Sequence, residues 1–343
     1  SGVDQKGFLS DLYGVNTHHF SYRFSRFKLV SLFLLFISQL SLFFRLLKYN
    51  REKVTFYVNT VLPFGAALAG WIMNKRVIYH FHETSIKPKP WKKFLFWIAR
   101  LSANDGIYVS NYLRDKEASG HFRTFTIYNA LTYDFFKQAY SFNKEFNGVV
   151  RGLMICSLKA YKGVNEFVYL ARMIPEMEFD LVLNASNQEI EKYFSKFMIP
   201  ENLHLHPAQK DVHPFYREAD LVFNLSLPFQ WVETFGLTVL EAMSYGIPVI
   251  IPTVGGITEL VAQGENGYRI NAMNLDEIHA KIHELIGNES LYKDLSTNAR
   301  NRSMDFSFGH MYKQIKDVIE YSIISHSDTT SPILDSIRQN EIA

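Results

Sequence analysis

Thirty-one consecutive residues, Trp231–Val261 (WVETFGLTVLEAMSYGIPVIIPTVGGITELV), constrain the fold of this chain more than any other stretch. A Phe235-Gly236 turn opens an apolar helix, and the continuous apolar run Ile247–Ile251 follows as a buried-type strand. A Gly255-Gly256 turn comes next, with a second helix expected to begin near Glu259. Strands that read as unbroken apolar runs between helices belong to parallel α/β sheets, whose faces are both covered. Two carboxylates, Glu233 and Glu241, stand with seven residues between them. Glu233 falls on the loop, and Glu241 lies about 7.5 Å up the helix at 1.5 Å per residue. The unbonded N–H groups of the first turn, at Phe235, Gly236 and Leu237, lie between the two acids, and such a helix start attracts phosphate. Acid, backbone donors and acid in that order suit a nucleotide-sugar, with one acid for the sugar, one for the ribose and the backbone for the phosphates.

The same alternation runs along the chain. Strands are expected at Val54–Val58, Arg76–Phe81, Gly106–Val109 and Thr124–Tyr128 in the first half. In the second they are expected at Gly152–Ile155, Phe179–Leu183, Leu203–His206, Leu221–Leu225, Ile247–Ile251 and Tyr268–Ile270. The polar stretch Ser141–Asn147 reads as a linker, Phe308–Ile324 as an amphipathic helix, and Ser325–Ala343 as a polar tail. These give domains at 1–147 and 148–307, then a helix at 308–324 and a tail at 325–343. At 343 residues the length suits two domains, and 47% hydrophobic residues fill two cores.

The acid pair, the FG turn, the EAM…G.PV run and the GG..E that follows resemble the donor site of the family 4 retaining glycosyltransferases, of GT-B fold. The resemblance implies two Rossmann-like domains facing across a cleft, with a last helix that crosses back to the first. It extends to Val54–Gly70 (VTFYVNTVLPFGAALAG) and Arg76–Ser85 (RVIYHFHETS), where His82 matches a histidine beside the donor sugar. His80 is expected to point away from His82, which speaks against a metal pair. After the strand Gly152–Ile155, Lys162-Gly163 matches the family's phosphate-binding turn, but Ser157 stands where an arginine is expected. Lys162, with Lys159 as a second point charge, is left to stabilise the leaving phosphate. Gly255, Gly256 and Glu259 are expected to shape the sugar pocket, and His206–Gln209 to border the base. Gly7–His19 (GFLSDLYGVNTHH) looks like the family's second helix leading into a later strand, so the usual first β-α-β unit is expected to be missing from this sequence.

The implied activity is transfer of a sugar, with retention and without a metal, from a nucleotide-diphosphate-sugar to a lipid-linked glycan acceptor in bacterial surface polysaccharide synthesis. No cofactor is called for beyond a UDP- or GDP-type donor. No D-x-D, GxxxxGK[ST] or G-x-S-x-G motif occurs, and Cys156 reads as a strand-end residue. Two other readings stay open: a nucleotide-sugar epimerase of the same fold, and a membrane-associated partner subunit that has lost activity.

Charge is divided unevenly. Residues 1–147 hold 20 Lys/Arg against 9 Asp/Glu, and residues 148–343 hold 16 against 25, within an overall net of +2. Only the first half would face a polyanion. No nucleic-acid motif is present, so an anionic membrane surface is the expected partner. Lys87–Arg100 (KPKPWKKFLFWIAR) mixes lysines with tryptophans, as headgroup-facing segments do, although a helix with core aromatics and solvated lysines has the same pattern. Leu29–Phe44 is apolar but short for a span and reads as a packed domain helix. The single cysteine and the absence of a leader pattern lead us to expect a cytoplasmic chain, peripheral on the inner membrane face.

Overall fold

The computed structural model describes residues 27–324 apart from 121, 144–147 and 149, together with 14, 16–18 and 25. The expectations for residues 1–9, most of the linker and the tail lie outside the described residues.

Two parallel sheets form the frame. The first holds β1 (Thr55–Asn59), β2 (Arg76–Phe81), β3 (Asp105–Tyr108) and β4 (Arg123–Thr126), in that order. The second is built from β5 (Arg151–Cys156), β6 (Glu178–Leu183), β7 (Leu203–His206), β8 (Leu221–Phe223), β9 (Val249–Ile251) and β10 (Gly267–Arg269). Its order is β10-β9-β8-β5-β6-β7. Every apolar run expected as a strand forms one, with ends shifted by up to two residues. Helices α1 (Lys28–Leu46), α2 (Phe64–Ile72), α3 (Lys89–Ser102), α4 (Asn111–Glu117) and α5 (Tyr133–Ser141) accompany the first sheet. Helices α6 (Val164–Met173), α7 (Asn187–Phe194), α8 (His213–Glu218), α9 (Leu237–Ser244), α10 (Leu275–Ile286) and α11 (Glu289–Ser303) accompany the second. The last, α12 (Phe308–Ile324), returns to the first sheet. There Val318, Met311 and Ile315 pack on Ile78, Ile107 and Ile127, and Arg76 donates to the carbonyls of Val318 (2.6 Å) and Ile319 (2.7 Å).

The strand order sets the site. In the second sheet β5 is central, with β6 on one side and β8 on the other, so the chain changes direction there. Open parallel sheets bind ligands in the crevice outside the carboxyl ends of their strands at such a switch point. The residues just after β5 and β8 are Ser157 and Asn224.

Three expectations need correction. Glu259 does not begin a helix; it ends a short 3₁₀ turn, Gly256–Glu259. His80 and His82 do not diverge, because residues two apart on a strand share a face; their ring centroids lie 4.2 Å apart. The apolar run at Leu29–Phe44 is helical but packs on one side only. Ser31, Ser38 and Gln39 are buried, and Gln39 Oε1 accepts the Gly65 N–H (3.1 Å), while Leu29, Phe33 and Phe44 face outward. Leu29–Arg51 is long and apolar enough to cross a membrane by length and composition. In α3 both readings of the basic aromatic segment find residues. Leu95, Phe96 and Ile98 are core and Lys92 pairs with Glu117 (2.5 Å), but Trp97 is 56% exposed, with Lys89 and Lys93 also outward.

Candidate functional site

A cavity of about 320 Å³ opens at the switch point. Its walls come from the end of β5 (Cys156, Ser157), the turn after it (Lys162), the segment after β8 (Asn224, Ser226) and the start of α9 (Phe235, Gly236, Leu237, Thr238). Asn129 reaches it from the first domain.

Its centre is an ion pair. Lys162 Nζ donates to Glu233 Oε1, which also accepts the Ser226 hydroxyl (2.8 Å). The ammonium lies over the Trp231 ring at 5.0 Å, and Trp231 stacks on Tyr161 with centroids 5.3 Å apart. Gly163 makes this placement possible: its φ is +80°, and a Cβ there would overlap the Leu225 carbonyl. Gly236, with φ +110°, is the N-cap of α9 and leaves that helix no side-chain cap. The first-turn N–H groups therefore meet the cavity without a protein acceptor of that kind, beside a cation and a carboxylate. The partly exposed Cys156 thiol belongs to the same wall, its pKa pushed up to about 12 by desolvation, so it stays protonated and is no nucleophile at neutral pH.

The sequence therefore brought Lys162, Glu233, Phe235, Gly236 and Leu237 to one place. Ser157 lines the cavity where a family arginine was expected, and Lys159 is exposed and outside it, so Lys162 is the cation of this wall. Glu241 sits one helical turn further along, held by the Tyr216 hydroxyl (2.6 Å); burial raises its pKa and that hydrogen bond opposes the rise. Gly255 and Gly256 are buried beneath the acid loop rather than on the cavity wall. A Cβ on the first would overlap the Glu233 carbonyl, and on the second the Thr234 carbonyl. Glu259 faces the first domain. His82 stands on the first domain's strand edge, outside the lining, with its Nε2 buried and without a hydrogen-bond partner. Burial lowers its pKa to about 4; burial and the adjacent His82 lower that of His80 to about 3, so both rings are neutral at pH 7. His206 is hydrogen-bonded to Asp180 (2.7 Å) and lies outside the lining of this cavity.

Asn129, Asn224, Ser226 and Trp231 were not singled out from the sequence. Asn224 and Ser226 follow a strand end at the switch point, which is a usable signal once strand order is known. Among the described residues, no group of three or more His, Cys, Asp or Glu could hold a metal ion.

Comparison with known proteins gives a consistent result. Residues 141–302 match the family model described as glycosyl transferases group 1. An uncharacterized glycosyltransferase of Methanocaldococcus jannaschii is 27% identical over 66% of this chain and 62% of its own length. The N-acetyl-alpha-D-glucosaminyl L-malate synthase of Bacillus anthracis is 27% identical over 50% of this chain and 43% of its own. The chain thus spans about half the length of the curated relatives it matches. Among solved structures, Anabaena Alr3699/HepE in complex with UDP superposes with a TM-score of 0.70 at 21% identity, covering 83% of this chain and 84% of that one. The sucrose-phosphate synthase of Thermosynechococcus elongatus gives 0.68 at 18%, over 85% and 79%. These likenesses show the fold to be GT-B.

Proposed function

We propose that this chain, which belongs to the group 1 glycosyltransferases through residues 141–302 and has the GT-B fold, transfers a sugar from a nucleotide-diphosphate-sugar to a glycan acceptor with retention and without a metal. The observation that carries the reading is the Lys162–Glu233 pair set against the open start of α9 in the switch-point cavity. One ammonium and a helix N-terminus converge where a diphosphate would gain charge as its bond to the sugar breaks, and such preorganised donors are a large term in catalysis. The donor pyrophosphate would share Lys162 with Glu233, whose carboxylate would then accept from a sugar hydroxyl. Glu241, one turn along the helix, would take the ribose, and Tyr216 would orient it.

His82, neutral at pH 7, would offer a ring nitrogen to the sugar from the opposite domain. As the resemblance to this family implies, the departing phosphate oxygen would accept the acceptor's proton on the same face of the sugar. The absence of D-x-D from the sequence supports a reaction without a metal-bound diphosphate. UDP is the favoured nucleotide, because structural neighbours carry UDP and UDP-glucose. The acceptor proposed is a lipid-linked glycan at the inner membrane face, reached through the basic first half and the outward Lys89, Lys93 and Trp97 of α3.

One observation favours a second reading, an inactive partner subunit: Ser157 lines the phosphate wall in place of an arginine, and Lys159 does not replace it. A panel of UDP-, GDP- and ADP-sugars separates the two. Thermal stabilisation by one donor with nucleotide release that depends on membrane lipid extract supports transfer. Stabilisation without release under any acceptor supports the inactive partner, and no stabilisation by any donor defeats both.

A further inference from the structure

Glu259 makes more hydrogen bonds across the two domains than any other described side chain, and none of them faces the cavity. Its carboxylate accepts from the Asn111 N–H (3.0 Å), the Asn111 side-chain amide (3.1 Å), the Tyr112 N–H (2.7 Å) and the Tyr128 hydroxyl (2.8 Å). All four donors belong to the first domain, at the start of α4 and just after β4. Asn111 and Tyr112 would otherwise be unbonded first-turn N–H groups, and a carboxylate satisfies both while meeting the positive end of the helix. On its own side Glu259 is fixed: its carbonyl accepts from Arg302 (2.8 Å), which also pairs with Asp305.

The same turn touches the acid loop. A Cβ on Gly256 would overlap both the Thr234 carbonyl and the Ser110 hydroxyl, so this glycine is wedged between the residue after Glu233 and the N-cap of α4. Gly255 packs in the same way under the Glu233 carbonyl. A continuous path of contacts therefore runs from α4 of the first domain through Glu259 and Gly256 to the loop that carries Glu233.

We infer that Glu259 is a clasp and positioning residue: by capping α4 across the cleft it holds the two domains closed and seats the acid loop in the same movement. The inference concerns the domain interface and stands whichever reaction the cavity supports.

Native-state hydrogen exchange of the full chain tests it without reference to turnover. The Val232 N–H bonds the Ser85 hydroxyl (3.3 Å) across the cleft and has no contact with Glu259. In Glu259→Gln, exchange at Val232 is expected to rise by roughly ten- to a hundredfold, the loss expected from one hydrogen bond to a charged group. Strand amides of β2 and β6 should keep their wild-type protection. Tyr128→Phe, which removes one donor and leaves the carboxylate, should give a smaller rise at the same amide. Combined, the two changes should fall short of additivity. Acceleration confined to Asn111 and Tyr112, with Val232 unchanged, would show a local helix cap and overturn the clasp. If Glu259→Gln loosens the strand amides as well, Tyr128→Phe decides, and an unchanged Val232 in that variant overturns the clasp equally.

Discussion

Replacing Glu233 with glutamine should tighten the binding of UDP alone while abolishing transfer. Without ligand, the charge of Lys162 is engaged by Glu233, and a diphosphate must compete for it. Both side chains are about 15% exposed (16% for Lys162, 15% for Glu233), which places the pair between two known regimes. Exposed pairs are worth 0–1 kcal/mol, and breaking a fully buried pair costs 3–5 kcal/mol. About 1–2 kcal/mol is the reasonable interval here, equivalent to roughly a five- to thirtyfold change in an equilibrium constant. Glu233→Gln removes the competing anion, and also its repulsion of the phosphates, while the amide keeps the volume and can still meet Ser226. Calorimetric titration with UDP at fixed salt should therefore give a Kd lower by about that factor. Under the proposed reaction the same variant should lose turnover with a nucleotide-sugar, since the charged acceptor proposed for the sugar hydroxyl is gone. Lys162→Met should move UDP affinity the other way. Unchanged or weaker UDP binding by Glu233→Gln would refute the argument that Lys162 is the phosphate cation and that Glu233 restrains it.

Three further outcomes follow from the geometry. Gly163→Ala forces a Cβ against the Leu225 carbonyl at a positive φ, so urea unfolding should show a loss of about 2–4 kcal/mol, and a variant as stable as wild type would contradict the close approach. Tyr216→Phe strips the partly buried Glu241 of its hydrogen bond, should cost about 1–3 kcal/mol, and should raise the Glu241 pKa further, as read from the carboxyl resonance in a pH titration. The buried histidines make stability fall in mild acid. Their folded pKa values of about 3 (His80) and about 4 (His82) lie below the unfolded value near 6.5, so the unfolded state binds protons first. Stability linked to them is full above about pH 6.5 and declines towards pH 4 by roughly 1.4 kcal/mol per pH unit for each ring. Equilibrium unfolding at pH 7, 6 and 5 measures this slope, and His80→Phe should flatten it in part; an equal slope in that variant would assign it to the other histidines with lowered pKa, His82 and His213.

The strands were legible because a parallel strand is buried on both faces and has to be apolar almost throughout. Leu153, Leu181, Val222 and Ile250 each sit in such a run, and each is buried. The last helix was legible for a related reason. Val318, Met311 and Ile315 recur at helical spacing, and that stripe is the one that rests on β2, β3 and the segment after β4. The reading of Leu29–Phe44 as a packed helix holds for one side of α1 only, because apolar content alone does not say which face packs. There the small polar residues Ser31 and Ser38, with Gln39, meet the protein; a Cβ at Gly65 of α2 would overlap the Gln39 carbonyl, so the two helices touch at backbone distance. Close approach selects small side chains, and a reading based on hydropathy assigns them to solvent.

The site divides along the same line. Lys162, Glu233 and the start of α9 were readable because each is fixed by its own local turn: Gly163 and Gly236 at positive φ set the backbone, and the side chain follows. What placed them together was strand order, with β5 and β8 adjacent although sixty-four residues separate the end of one from the start of the next. The resemblance of its GG..E run placed Glu259 in the sugar pocket, and the run by itself is compatible with another set of donors. A carboxylate three residues beyond a Gly-Gly turn asks for a cluster of N–H and O–H donors. A sugar supplies hydroxyls of that kind, and so does the first turn of a helix with a tyrosine beside it. The local sequence is the same in both cases. Only the position of Asn111, Tyr112 and Tyr128, more than one hundred and thirty residues away along the chain, decides which set of donors the carboxylate meets.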